Sequence, residues 1–154
     1  MVLIGVNPPN KIEQYFLDTL GKDNATIVFT ESTSNTHHNN FFPGIDKIIA
    51  PLNEAEFLDL QPEILVTLGG LIVSKKIKVF LRKFKPKAHY HIGKNEARDT
   101  FFCLNYHFKV SENSFFNSFF EKVSLSESSY QRKWLLLKKD RNEKHTEYFK
   151  SLPF

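Results

Sequence analysis

The sequence predicts an α/β domain in three layers, a mostly parallel sheet with helices on both faces, Rossmann-like in outline. Three observations carry this. Short continuous apolar runs, Val2 to Val6, Ala25 to Thr30 and Ile64 to Leu68, have the pattern of strands buried on both faces. Segments of helical period lie between them, and strands alternating with helices fold as covered parallel sheets. Apolar residues make up 41% of the 154, and the sixteen phenylalanines can each bury a large area.

Taken in order, Val2-Leu3-Ile4-Gly5-Val6 is the first strand and Asn7-Pro8-Pro9-Asn10 a turn. Ile12, Tyr15, Phe16, Leu17 and Leu20 recur at helical spacing up to Gly21, a helix stop. Ala25 to Thr30 is the second strand. Glu31 to Asn40, rich in Ser, Thr, Asn and His, has no period and predicts a loop. Ile45 to Leu52 is short and fits either element. Asn53 to Leu60 predicts a helix capped by Asn53, with acids in its first turn. Ile64 to Leu68 is the third clear strand.

From Val73 to about Lys85 a helix places Val73, Ile77, Phe80, Leu81 and Phe84 on one face and charges on the other, and Pro86 closes it. Ala88 to Ile92 is a strand ended by Gly93, and Thr100 to Val110 holds another. Glu112 to Val123 predicts a helix around Phe115, Phe116, Phe119 and Phe120. After Ser124 to Ser129 a last helix begins with Tyr130, Trp134 and Leu137 in register, and its second half is strongly charged. The expected division is a domain over residues 1–123 and a C-terminal helix and linker over 124–154.

The totals exclude several classes. A net charge of +4 is mild and is not by itself a case for nucleic acid. One cysteine, Cys103, excludes an internal disulfide and fits a reducing compartment. There is no signal segment and no apolar run of membrane-spanning length, so the expectation is a soluble, cytoplasmic protein. Repeats and low-complexity tracts are absent.

Leu68-Gly69-Gly70-Leu71-Ile72-Val73-Ser74-Lys75-Lys76 is the most informative run. It predicts a strand end, a glycine turn, a capping serine and a helix start carrying two lysines. Helix N-termini present free N–H groups and a positive dipole end, so acids are favoured there and lysines are not. No acidic residue lies between Glu63 and Glu96. Neither G-x-G-x-x-G nor the P-loop pattern is present. Two readings stand: a tight turn with solvated lysines, or an anion-facing helix start with Ser74 as cap and Lys75 and Lys76 as charge donors. The loops after Thr30 and Leu68 both leave carboxyl ends of strands, where open α/β sheets bind ligands, so they can share one edge.

Other candidates are weaker. His37 and His38 sit in the polar loop, and His89 and His91 share one face of a strand. A metal needs three or four convergent ligands, and none is predicted. Phe80 and Phe84 lie on a buried stripe and are core residues, not stacking platforms for nucleic acid. Cys103, between aromatics, predicts an inert thiol. No hydrolase elbow and no Ser/His/Asp or Cys/His set is visible. Glu31 is the one isolated acid at a strand end that could act as a base, and a salt bridge or loop hydrogen bond is its expected role.

Thr30-Glu31-Ser32-Thr33-Ser34-Asn35, then Ile45-Asp46, then Pro62 to Gly70 with Val73-Ser74-Lys75-Lys76-Ile77-Lys78 and Leu81-Arg82, carry a resemblance. In this order they resemble the middle domain of the 2-succinyl-5-enolpyruvyl-6-hydroxy-3-cyclohexene-1-carboxylate (SEPHCHC) synthase family, from about Val2 to about Phe120. The Gly-Gly…Ser-Lys-Lys segment is the most specific part. The closing Ser151-Leu152-Pro153-Phe154 looks like the linker into that family's C-terminal domain.

The resemblance implies a three-domain, homo-oligomeric transferase of menaquinone biosynthesis that uses thiamine diphosphate and Mg²⁺. Such an enzyme decarboxylates 2-oxoglutarate on the cofactor and adds the succinyl unit to isochorismate. The resemblance implies that Lys75 and Lys76 face substrate carboxylates, with Ser74 and Asn35 as further candidate contacts. Where the family's second position is arginine, Lys76 offers a point charge instead of a bidentate fork. No Gly-Asp-Gly diphosphate motif and no cofactor-activating glutamate occur. The chain alone is therefore expected to be inactive, with no catalytic, cofactor-binding or metal residues of its own, and its partners are the enzyme's N- and C-terminal domains. The residues taken without the resemblance also allow a stand-alone module for a small anion or nucleotide, or a regulatory interaction domain.

Overall fold

The computed structural model describes residues 1–125 and 127–152. Pro153 and Phe154, the end of the expected linker, lie outside the described residues. The chain runs β1 (Val2–Ile4), α1 (Gln14–Lys22), β2 (Val28–Thr30), a 3₁₀ turn (Ser32–Ser34), β3 (Phe42–Pro43), α2 (Ile45–Ile49) and α3 (Glu54–Leu60). It continues through β4 (Ile64–Leu68), α4 (Lys75–Lys83), β5 (Ala88–Ile92), β6 (Leu104–Phe108), α5 (Glu112–Phe120) and α6 (Tyr130–Ser151). The six strands form one sheet in the order β3-β2-β1-β4-β5-β6. Every pairing is parallel.

The alternation of side chains along each strand splits the core in two. Leu3, Phe29 and Leu65 point to the face covered by α2, α3, α4 and α6, where they meet Ile48, Leu60, Phe80 and Trp134. Val2, Ile4, Val28 and Leu68 point to the opposite face, against Phe16, Leu17 and Leu20 of α1 and Phe116 of α5. Both faces being buried is why the strands are apolar without interruption. This is the three-layer α/β architecture expected from the alternating elements.

Several elements differ from their sequence expectation, each for a local reason. α1 runs through Gly21 and ends at Lys22. Gly21 is there because the His38 ring occupies the space of a side chain, 2.1 Å from where a Cβ would stand. Strands β1 and β2 are shorter than their apolar runs, and Val6 is exposed. The two-residue edge strand β3 carries too few residues to leave a pattern. Of Ile45 to Leu52, Ile45–Ile49 form α2. Val73 lies before the helix and is 55% exposed, so it is not part of the buried stripe; Ile77, Phe80, Leu81 and Phe84 are.

The first half of α6 belongs to the core. Trp134 is 2% exposed. The Tyr130 hydroxyl donates to the Leu60 carbonyl at 2.7 Å, and burial holds that phenol well above its usual range. Residues 142–150 are exposed. Among the described residues no helix is long and apolar enough to cross a membrane.

Candidate functional site at the carboxyl edge of the sheet

Strand order reverses between β1 and β4, and open parallel sheets bind ligands in the crevice at that switch point. Here the chain seals it. Gly70 N donates to the Val6 carbonyl at 2.7 Å, and Val6 N donates to the Leu71 carbonyl at 3.1 Å. The contact is close enough to require glycines. A Cβ on Gly5 would stand 2.3 Å from the Gly70 carbonyl oxygen, and Gly69 sits at φ +72°. The glycine turn after Leu68 therefore packs against Gly5 and Val6, just beyond β1, instead of opening a nucleotide crevice.

The turn delivers the chain to the start of α4. Ser74 is the N-cap, its hydroxyl accepting from Ile77 N at 3.2 Å. That hydroxyl donates in turn to the Asp46 carboxylate at the start of α2. The dipole end itself is occupied from within. Val73 N donates to both carboxylate oxygens of Glu31 at 2.9 Å, and Ser74 N donates to Oε1 at 2.7 Å. Glu31 directly follows β2, so the loops after Thr30 and Leu68 do share one edge, and Glu31 has the loop hydrogen-bonding role expected of it. The acids that a lysine-bearing helix start lacks locally are supplied from distant segments.

Lys75 and Lys76 are exposed and make no ion pair among the described residues. With Lys83 they rim a groove of about 290 Å³ between α2, α3 and α4. Its floor is apolar, formed by Ile49 with Phe57, Phe80 and Phe84, whose rings pack at centroid distances of 5.2–5.7 Å. Phe57 escapes a reading of α4 alone; the apolar stripe of α3 is the signal that it faces this helix. Asn35 stands on the same edge but serves the loop. At φ +49° it closes the 3₁₀ turn, and its amide donates to the Asn7 carbonyl at 2.7 Å and the Thr33 carbonyl at 3.3 Å.

The histidines form a second polar group on β5 and β6. The Thr67 hydroxyl lies 2.9 Å from His89 Nε2 and 3.0 Å from His91 Nδ1. Burial holds His89 down at about 4, and burial with the neighbouring His107 holds His91 below its usual range. Among the described residues no three His, Cys, Asp or Glu side chains converge as a metal site would need. Cys103 is half-buried, and burial raises its thiol pKa, as suits an unreactive side chain. A larger cavity of about 790 Å³ lies at the amino edge, lined mainly by apolar residues such as Ile64, Phe116 and Phe119.

Fold and site together define a class: a doubly wound parallel α/β domain whose nucleotide crevice is closed and whose carboxyl edge carries paired lysines. Comparison with known sequences narrows it. The chain is 47% identical over 154 residues to the 2-succinyl-5-enolpyruvyl-6-hydroxy-3-cyclohexene-1-carboxylate synthase of Flavobacterium psychrophilum, covering 100% of this chain and 28% of that protein. It is 44% identical over 131 residues to the synthase of the same name from Flavobacterium johnsoniae, covering 84% of this chain and 24% of that one. The corresponding figures for Christiangramia forsetii are 52% over 110 residues, 68% and 19%. By sequence the chain belongs to the SEPHCHC synthase family, and it spans about a quarter of the length of these relatives. No family-level sequence model matches it.

Proposed function

We propose that this chain serves as the middle domain of a SEPHCHC synthase, a scaffold that presents Lys75 and Lys76 to the carboxylates of the substrates. The observation that carries this reading is the 47% identity over all 154 residues. The reaction the resemblance implies is decarboxylation of 2-oxoglutarate and transfer of the succinyl unit to isochorismate. Both substrates are dicarboxylates. Two exposed ammonium groups at the edge of the domain suit them, because charge-assisted contacts to carboxylate are roughly twice as strong as neutral ones.

Because Glu31 and Asp46 already occupy the helix start, substrate would meet the lysine side chains and not the amides capped by Glu31. Thiamine diphosphate and Mg²⁺, which the resemblance implies for the whole enzyme, do not fit the residues of this chain. The switch-point crevice is closed, and no metal donor set converges among the described residues. The reading therefore assigns the cofactor to the N- and C-terminal domains of the longer, homo-oligomeric polypeptide and expects the chain alone to be inactive.

The test is Lys75→Ala in the complete synthase. Loss of one charge-assisted contact should lower kcat/KM for an anionic substrate by about 1.5–3 kcal/mol, roughly ten- to a hundredfold. A wild-type kcat/KM refutes the assignment, and turnover by the 154-residue chain alone refutes the scaffold reading.

A further inference from the structure

We propose that Glu31 is a positioning residue: a built-in carboxylate that fixes the start of α4 and thereby aims Lys75 and Lys76. The inference rests on the reading that those lysines meet substrate, but the geometry that suggests it is independent of any ligand. Val73 and Ser74 are the last two residues before the helix, and both of their N–H groups go to one side chain, Glu31. Leu71 and Val73 are exposed, so of the residues between Gly70 and Ser74 only Ile72 is anchored by apolar burial. The remaining hold on this segment is polar.

Glu31 is itself rigidly mounted. Its backbone N donates to Ser34 Oγ at 2.8 Å, and that hydroxyl donates to the Ile4 carbonyl at the end of β1 at 2.5 Å. A continuous path of hydrogen bonds thus runs from the central strand through Ser34 and Glu31 to the first residues of α4. Asp46 on Ser74 is a second strut, and Lys78 Nζ on the Ile72 carbonyl at 3.1 Å is a third. Side chains set by such supporting contacts reach their targets with less entropy to lose. The same carboxylate has a second consequence. It fills the anion position at the cap, so an incoming carboxylate is directed outward to the ammonium groups.

The experiment pairs Glu31→Ala with Glu31→Gln in the complete synthase. Glu31→Ala should raise KM for an anionic substrate about tenfold while kcat stays within about twofold, since the cost falls on charge-assisted hydrogen bonds that orient a binding group. Formate should restore KM by entering the vacated space and accepting from Val73 and Ser74 N–H. Glu31→Gln should show a smaller defect without rescue, because its amide oxygen in the place of Oε1 still accepts from both N–H groups while its amide nitrogen, in the place of Oε2, faces Val73 N–H and fills the space. An unchanged KM in Glu31→Ala, or a loss that formate does not reverse, overturns the proposal.

If Glu31→Ala fails to fold, the wild-type chain still decides the matter. In an amide hydrogen-exchange measurement followed by NMR, the Val73 and Ser74 N–H groups should be protected although both residues lie outside the helix. Exchange of both amides at the rate of exposed loop amides overturns the proposal. A wild-type kcat/KM in Lys75→Ala beside protected amides would instead sink the substrate reading and leave the hold of Glu31 on the helix start standing.

Discussion

At the scale of single residues, His89 shows how burial sets chemistry. It is 1% exposed, its ring packs edge-on to Phe101, and Nε2 is shared with Thr67 while Nδ1 has no partner among the described residues. An imidazolium there would lose hydration without gaining an acceptor, so the ring stays neutral down to about 4. The sign of the consequence follows. Between about 4 and 6.5 the unfolded chain binds a proton that the folded chain does not, so stability rises with pH across that window. It is complete above 6.5 and diminishes as pH falls towards 4, by at most about 3 kcal/mol. An NMR titration of the imidazole carbons should show His89 neutral at pH 5, and a midpoint near 6.5 would contradict the burial argument. His91 shifts in the same direction, first through burial and then through the His107 ring, whose centroid is 5.2 Å away, and Lys11, while the Glu112 carboxylate opposes the shift.

At the scale of elements, the helices separate what a sequence states locally from what it does not. α3 was legible because its signals are adjacent: Asn53 accepts from Glu56 N at 3.0 Å while the Glu56 carboxylate accepts from Asn53 N at 2.9 Å. α4 was legible as a helix, with Ser74 as its cap, but not in its charge balance. Glu31 and Asp46 stand 43 and 28 residues from Ser74 in the chain, beyond the reach of any local pattern. The same holds for Gly21, where proximity to His38 overrides the usual stop signal, and for Gly5, whose need for a bare Cα comes from Gly70. The glycine turn, the lysine pair and the shared loop edge could be read from residue types; the internal carboxylate at the helix start needed the fold. The two caps should therefore respond differently. Asn53→Ala should cost about 1 kcal/mol, the ordinary loss of an N-cap. Ser74→Ala should cost more, near 2 kcal/mol, because it also strips Asp46 of its donor. Urea midpoints of the two variants at neutral pH test this, and equal costs would mean that the Ser74–Asp46 contact adds nothing.

At the scale of the whole molecule, the question is where the folding unit ends. The expected boundary after residue 123 falls ahead of α6, yet α6 closes the core on the α4 side of the sheet. Trp134 packs into the cluster that holds Leu3, Phe29 and Leu65. Gln131 donates to the Gly21 and Thr26 carbonyls at 3.1 and 2.9 Å, and Lys138 donates to the Asn39 and Phe41 carbonyls, each at 2.7 Å. Removing α6 would leave those carbonyls and the underside of the cluster facing water. Truncating a buried aromatic alone costs about 3–5 kcal/mol, and a domain of this size has about 5–15 kcal/mol in total. A chain ending at residue 123 should therefore be largely unfolded. A chain ending at residue 141 should keep nearly the full stability, because residues 142–150 are exposed and the ties they provide, such as Asn142 to Lys47, lie at the surface. Circular dichroism and urea unfolding of the two truncations distinguish the cases. If the 1–123 chain unfolds at the same midpoint as the full chain, α6 is an appendage; if it is unfolded while 1–141 is not, the first three turns of α6 are part of the domain.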